Sequence, residues 1–228
     1  MSEQISPTIQ DYLSILYVLE RDGEPVVGAR LAELLGVSPP TVTNTLKRMA
    51  RDGLLTSDPA HGTHLTKAGW QAARTVVRRH MLAEWMLARL LAWSKTHGEA
   101  HEIEHAISQE VEAALIKEFD HPEVCPHGNP LPGHEAAVSS LLPLTQATDG
   151  QTVVIQRIHE LAEGTPGMLA FLEKNGVVPG QAAQVIQVLP FNQTVLLRVK
   201  GQDVSLGFAT ARFVFVEVQA RPGLQPGN

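Results

Sequence analysis

The chain changes its hydrophobic period once. Up to about residue 145 the apolar residues recur at helical spacing. From about Asp149 they run in β-branched blocks of strand length: TVVIQRI, AAQVIQVL, TVLLRVK, DVSLGF and ARFVFVEVQA. One helical segment, GMLAFLEKNG, lies between the first block and the second. A sequence with that switch predicts an α+β protein, with helices first and then a small β-barrel of roughly 70 residues. With 228 residues, 43% of them hydrophobic, the chain can bury one large core or two modest ones. The tail RPGLQPGN is expected to be disordered.

Punctuation divides the helical part. Ser6-Pro7 reads as an N-cap followed by an N1 proline, and Ile9, Leu13, Leu16 and Tyr17 then keep helical spacing until Gly23. A short second helix, Ala29–Leu35, closes at Gly36. Ser38 caps a third, Pro39–Asp52, which stops at Gly53. LLTSDPAHGTHLT, with the turn pairs Asp58-Pro59 and His61-Gly62, predicts a two-stranded wing. A long helix is expected from about Lys67 to Trp93, with Val76, Val77, Leu82, Trp85, Met86, Leu90 and Leu91 on more than one buried face. Thr96 with Glu99 reads as a capping box opening a helix to about Phe119. DHPEVCPHGNPLPGH is a loop or linker, and a short helix is expected at about Glu135–Leu142.

Short helix, tight turn, basic helix and wing form the winged helix-turn-helix layout. The recognition helix would present Ser38, Pro40, Thr41, Thr43 and Asn44 to base edges and phosphates, and Lys47, Arg48 and Arg51 to the backbone. Val42, Leu46 and Met49 form its inward stripe. The wing adds His61, Thr63 and His64, and Arg30 is a further candidate contact. Used for protein contacts, the same domain would have a similar pattern.

Charge supports a division of labour. Ser38–Arg79 holds seven Lys/Arg against two acids, whereas Ser94–Gly150 holds two Lys against ten acids and six of the ten histidines. One segment suits a polyanion and the other a cation. No apolar run approaches the ~18 residues of a membrane span, and MSEQISPTIQDY lacks the pattern of a signal peptide. With Cys125 the only cysteine, an internal disulfide is excluded. A cytoplasmic protein is expected.

The acidic block contains THGEAHEIEH. On a continuous helix His97, His101, Glu104 and His105 fall at about 0°, 40°, 340° and 80°, one arc beside the stripe of Ile103, Ile107, Val111 and Ala114. The helix before it offers His80 and Glu84 at i, i+4. Imidazole and carboxylate donors suit a first-row divalent ion. Cys125-Pro126-His127 offers two more donors, although Cys125 also fits a small buried residue or a free thiol. Three other readings stay open: a wet helix face, a metal-independent regulator answering a small organic ligand, and a metallohydrolase, because HEIEH matches HExxH with Glu102 as base.

The whole pattern resembles the diphtheria toxin repressor family of metal-dependent regulators, which includes the manganese transport regulators. The resemblance rests on IQDYLSILYVLE, SPPTVTNTLKRMARDGL, LTKAG, RRHMLAE, EIEHAISQEVE, HGNPLPG and VVPG. It implies a winged helix-turn-helix over residues 1–70, a helical metal-binding and dimerisation domain over 71–145, and an SH3-like domain of the FeoA type over 149–220. It also implies a primary metal site of Asp11, His80, His101, Glu104 and His105. A second site is implied around Glu84, His97, Cys125 and His127, with Glu160 and Glu163 as candidates from the C-terminal domain. The Asp11 position is Met in the iron-type members and Asp in the manganese-type ones. The His101 position is Cys in the former and usually Glu in the latter, so His101 departs from both. Oxygen in place of soft sulfur favours Mn(II), with Fe(II) the alternative and Zn(II) or Cd(II) as substitutes in vitro. The implied function is a homodimeric repressor that binds a double-stranded DNA operator in metal-uptake genes when metal is bound, without catalysis, membrane contact or a small organic ligand.

Overall fold

The computed structural model describes residues 5–58 and 62–219. The chain forms two compact units, one from Met1–Ala83 with Glu99–Glu118, the other from Glu84–Gly98 with Phe119–Asn228. His61 and the tail after Gln219 lie outside the described residues, so the expectations for them do not enter the fold.

The first unit begins with α1 (Pro7–Arg21), α2 (Gly28–Leu35) and α3 (Pro39–Arg51). Ser38 does cap α3: its hydroxyl accepts from the Thr41 amide at 3.4 Å. Gly36 ends α2 in the left-handed region, at φ 63°. Tyr12, Leu13, Leu16, Tyr17 and Leu19 of α1 are buried together with Leu31, Val42 and Met49. Each such side chain contributes about 1.5–3 kcal/mol of apolar burial, so the three helices hold as one core. The wing follows as β1 (Leu55–Asp58) paired antiparallel with β2 (Gly62–Leu65). Glu20 near the end of α1 accepts a hydrogen bond from the Leu65 amide at 2.6 Å, which ties α1 to the wing.

The long helix is shorter than its apolar residues suggest. α4 runs Lys67–Leu87, and a 3-10 turn at Trp93–Lys95 follows. Leu90 and Leu91 are 77% and 40% exposed, so they extend no buried face. The next helix is also interrupted. α5 covers Thr96–Ile103, Glu104–Ala106 tighten into a 3-10 turn, and α6 covers Gln109–Glu118. The reason is local. The Ser108 hydroxyl accepts from the Val111 amide and its carbonyl from the Glu112 amide, so Ser108 starts a new helix with Glu110 and Glu112 in the first turn. The expected capping box does not form. Thr96 is itself helical, and its hydroxyl donates to the Trp93 carbonyl. Val111, placed on the inward stripe by a continuous wheel, is exposed after the break. Glu112 is buried and accepts from Arg78 and Arg79, both at 2.9 Å, so two cations of the basic block are used internally.

The second unit is built on a six-stranded antiparallel sheet in the order β3-β8-β4-β5-β6-β7. Its strands are β3 (Leu142–Pro143), β4 (Thr152–Ile158), β5 (Ala182–Leu189), β6 (Thr194–Val199), β7 (Gln202–Gly207) and β8 (Val214–Val218). Three short helices, α7 (Glu160–Glu163), α8 (Met168–Lys174) and α9 (Phe208–Ala211), accompany it. The sheet starts earlier than the sequence pattern suggests, because Leu142 and Pro143 pair with β8. Val153, Ile155, Val185, Val195, Leu197, Val214 and Val216 close its core with Leu169 and Leu172 of α8.

The proline-rich segment after Phe119 is no free linker. Cys125, His127 and Asn129 are buried, and the Ile158 amide donates to the His127 carbonyl at 2.8 Å. Trp85 and Trp93 donate their indole N–H groups to the carbonyls of Val124 and Pro126. Gly128 sits at φ 85°, and a Cβ there would stand 1.9 Å from the Gln156 carbonyl, so only glycine allows this approach to β4.

Candidate metal centres and DNA-reading face

In the first unit Asp11 projects from α1, His80 from α4 and His101 from α5, while Glu104 and His105 lie on the 3-10 turn. Ligand atoms of Asp11, His101, Glu104 and His105 all lie within 4.8 Å of one another. His105 Nε2 is 3.3 Å from Asp11 Oδ1 and 3.8 Å from Glu104 Oε1. His101 Nδ1 is 3.5 Å from Glu104 Oε1, and His80 Nδ1 meets the other oxygen of Glu104. Asp11 Oδ1 is buried and makes no hydrogen bond. A buried acceptor facing an imidazole nitrogen, with the two further donors His101 and Glu104 beside it, fits a divalent cation.

Electrostatics agree with a site that favours positive charge. Burial alone would push the Glu104 carboxyl up. The hydrogen bonds and charges of His101 and His80 overcome this and hold it at about 2. His101 is raised above its ordinary value, chiefly by its hydrogen bond to Glu104. Asp11 is raised by burial, against the pull of His101 and His105.

Gln10, which the sequence pattern did not single out, supports the cluster. Its amide donates to the Ile5 carbonyl at 2.7 Å, which turns its oxygen toward His105 Nδ1 at 2.9 Å. Nδ1 is then the protonated nitrogen, and Nε2 faces Asp11 as a lone pair. The break at Glu104 means that His101 and His105 do not share one regular helix, as the two histidines of an HExxH motif do.

The second unit gathers another set. Ligand atoms of Glu84, Cys125, His127 and Glu163 lie within 4.8 Å of one another, all four residues buried. His127 Nε2 is 3.3 Å from the Trp93 carbonyl, while its buried Nδ1 makes no hydrogen bond although Glu84 Oε1 is 3.2 Å away. His97 Nδ1 is 2.7 Å from Glu163 Oε2 and 3.3 Å from Glu84 Oε1. Burial, with Glu84 and Glu163 alongside, pushes the Cys125 thiol well above its ordinary value, so it is protonated until a cation replaces the proton.

Glu160 stands apart from this set. It pairs with Arg157 at 2.8 Å, whereas Glu163, one turn later on α7, faces the cluster. Asn129, also unforeseen, is fully buried. It donates to the Ile158 carbonyl and to Glu163, and its oxygen accepts from Arg157 Nε at 2.6 Å. A β-bulge between Ile155 and Arg157 accompanies this inward Arg157.

On α3, Pro40, Thr41, Thr43, Asn44, Lys47, Arg48 and Arg51 are exposed, and Val42, Thr45 and Met49 face the core. Ser38 is exposed but bonded to Thr41, and the Thr43 hydroxyl donates to the Pro39 carbonyl. Arg30 is held by Glu24. His64 of the wing is half exposed, 3.7 Å from Glu20.

A winged helix-turn-helix joined to clusters of imidazole and carboxylate donors defines the class of metal-responsive DNA-binding regulators. Comparison with known proteins narrows this. Residues 4–63 match the N-terminal DNA-binding domain of iron-dependent repressors, and residues 66–133 match their metal-binding and dimerisation domain. Residues 142–218 match the FeoA domain. The iron-dependent repressor IdeR of Mycobacterium leprae (strain TN) is 34% identical over 223 residues, covering 92% of this chain and 96% of its own. The diphtheria toxin repressor of Corynebacterium jeikeium (strain K411) is 36% identical over 179 residues, 75% of each chain. Among solved structures, a manganese-dependent transcriptional repressor in complex with manganese matches with a TM-score of 0.80 at 29% identity, covering 92% of this chain and 99% of that one. T. acidophilum IdeR matches with a TM-score of 0.75 at 28% identity, covering 94% and 100%. The chain belongs to the iron-dependent repressor family, whose members are metal-dependent DNA-binding transcriptional repressors. Among the described residues no helix is long and apolar enough to cross a membrane.

Proposed function

We propose that this protein is a Mn(II)-activated repressor of metal-uptake genes that acts by binding its operator as a homodimer, without catalysis. In this reading residues 1–70 read DNA, 71–145 bind metal and dimerise, and 149–220 supply a ligand to the second centre. The observation that carries the reading is the convergence of Asp11 on α1 with His101, Glu104 and His105. Asp11, His101, Glu104 and His105 would hold a divalent cation, which would supply the positive charge that offsets the carboxylates and gives the imidazole lone pairs a partner. Asp11 and His105 then fix α1 to the Glu104–Ala106 turn. The same helix carries Glu20, whose carboxylate holds the Leu65 amide of the wing, so the position of α1 is felt at the DNA-reading face. A dimer whose two recognition helices keep a fixed spacing can meet half-sites about one DNA turn, roughly 34 Å, apart. Tighter metal binding by the DNA-competent arrangement shifts the population towards it.

Oxygen and imidazole donors without sulfur in the first centre support Mn(II). The 34% identity to a repressor named iron-dependent supports Fe(II) as the alternative. A gel-shift titration on a metal-transport promoter, run anaerobically with Mn(II), Fe(II) and Zn(II), separates them. Asp11→Ala is expected to weaken metal-dependent operator binding by ~10-fold or more while the fold persists. Operator affinity that is the same with and without metal in the wild type would overturn the reading.

A further inference from the structure

We propose that His64 of the wing contacts a DNA backbone phosphate as an imidazolium, with the Glu20 carboxylate as its positioning residue. The inference rests on the repressor reading and adds to it a proton taken up when the operator binds.

Glu20 lies in the last turn of α1, with its side chain 10% exposed. The Leu65 amide donates to its Oε1 at 2.6 Å, and the Trp70 indole N–H donates to the carboxylate from α4. Trp70 is itself held edge-on by the Tyr17 ring, with centroids 5.2 Å apart. Two neutral donors therefore fix the carboxylate in place. His64 Nδ1 stands 3.7 Å from the same Oε1. Burial raises the Glu20 carboxyl, against the pull of the Leu65 amide, His64 and Trp70, so the ionised form gains from a cation beside it. Among the described residues around the pair, β1 sets Thr56 opposite His64, and Arg21, next to Glu20, is paired with Asp22 at 2.8 Å. That leaves His64 to supply the positive charge. The C-terminal end of α1 favours a cation in the same place.

The rest of the ring is open to a ligand. The His64 side chain is 51% exposed. A Cβ added at Gly62 would stand 4.0 Å from its Nε2. Residues two apart on a strand share a face, so the ring lies along that face with Nδ1 towards α1 and Nε2 towards the start of β2. What one imidazole nitrogen meets sets the role of the other. With Nδ1–H turned to a carboxylate, the protonated ring offers Nε2–H to an anion, and phosphate is the anion that DNA presents most densely.

Contact with a phosphate favours the imidazolium, so operator binding takes up a proton at each wing. The contribution of the wing is complete below the ordinary imidazole range, about 6.5, and is lost as the pH rises above it. The steepest loss is about tenfold per pH unit for each wing. The metal centre acts in the opposite direction, because metal binding releases protons.

The test uses the full chain in saturating Mn(II). Affinity for a metal-transport promoter fragment is measured by fluorescence anisotropy from about pH 6 to 8. Wild type is compared with His64→Gln at each pH, so that the metal contribution, common to both, cancels. The ratio of their affinities is expected to be about tenfold at the acid end and to approach one at the alkaline end. At the acid end the salt dependence of the wild type should be steeper by about one ion per wing. His64→Lys, which keeps its charge throughout, is expected to bind as tightly as the wild type at the acid end and to hold that affinity as the pH rises. Glu20→Gln still accepts from Leu65 and Trp70, and is expected to move the fall in affinity to lower pH. A purely structural role of Glu20 would instead weaken binding equally at every pH. A ratio that does not change with pH, equal salt slopes, or a weak His64→Lys variant at the acid end would overturn the proposal. Metal-loaded wild type that binds no operator at any pH would overturn the repressor reading as well, so the two failures are distinguishable.

Discussion

The Gln10 carboxamide oxygen accepts a hydrogen bond from His105 Nδ1 at 2.9 Å and thereby decides which nitrogen of that imidazole faces Asp11. The amide end of Gln10 is fixed by the Ile5 carbonyl, so its oxygen has one orientation. Gln10→Leu removes the acceptor and frees the ring to change tautomer. Loss of such an outer partner costs metal affinity by ~10–100-fold. Isothermal titration with Mn(II) is expected to show that loss at the first centre. Gln10→Glu, which keeps the acceptor, is expected to retain affinity, and equal affinities for wild type and Gln10→Leu would remove Gln10 from the mechanism.

The metal-free protein has a pH window set by Glu104 and His101. The folded pKa of Glu104 is depressed to about 2 from 4.5, so its contribution to stability is complete above 4.5 and is lost as pH falls towards 2. His101 is raised above 6.5, so its contribution is complete below 6.5 and is lost as pH rises through the raised value. Denaturation of the apoprotein is therefore expected to show greatest support from this pair between about pH 4.5 and 6.5. Glu104→Gln should flatten both limbs in urea midpoints measured across pH.

Asp11 works in the opposite sense. Burial raises its carboxyl, so ionised Asp11 opposes folding at neutral pH when no cation is bound. Asp11→Asn is expected to raise the thermal midpoint of the apoprotein and to abolish most of the midpoint increase that Mn(II) gives the wild type. A lower apoprotein midpoint in calorimetry would contradict this account.

Much of this arrangement was legible in the sequence, where it rested on caps and strand blocks. Ser38, Gly36 and the five β-branched runs mark elements whose signals are local. The break at Glu104–Ala106 was missed because Thr96–Phe119 keeps helical composition. Its one local sign is Ser108 with acids following. The donors were legible as residue types, but their grouping was not. Glu160 and Glu163 are equivalent on paper, and what separates them is that Arg157 pairs with Glu160 while Asn129 and His97 meet Glu163. Gln10 and Asn129 carry no ligand signature, since each acts through a hydrogen bond to a residue far along the chain.

Asn129 links Arg157 to Glu163 inside the second unit, so its loss reaches both. Asn129→Ala removes the hydrogen bond from Arg157 Nε and the amide donor to Glu163, in a buried place. A buried polar group left unpaired costs about 1–3 kcal/mol, more where it is charged. Urea unfolding of the full chain is expected to show a loss of at least that size, and metal affinity at the second centre should fall as well. Unchanged stability would mean that water replaces the amide at no cost.

Gly128 gives the sharpest steric test. At φ 85° a side chain is strained, and the added Cβ would meet the Gln156 carbonyl at 1.9 Å, a contact that backbone cannot absorb locally. Gly128→Ala must push the loop off β4 and break the bond from the Ile158 amide to the His127 carbonyl. Overpacking of this kind costs typically about 1–3 kcal/mol, and the left-handed backbone adds to it. Cys125 and His127 would be displaced with the loop, so the second centre is expected to lose metal while Asp11, Glu104 and His105, carried by the other unit, keep theirs. Cd(II) counted per chain in the purified variant, with and without Asp11→Ala, reads the two effects apart. Full occupancy of both centres in Gly128→Ala would show that the loop tolerates the shift.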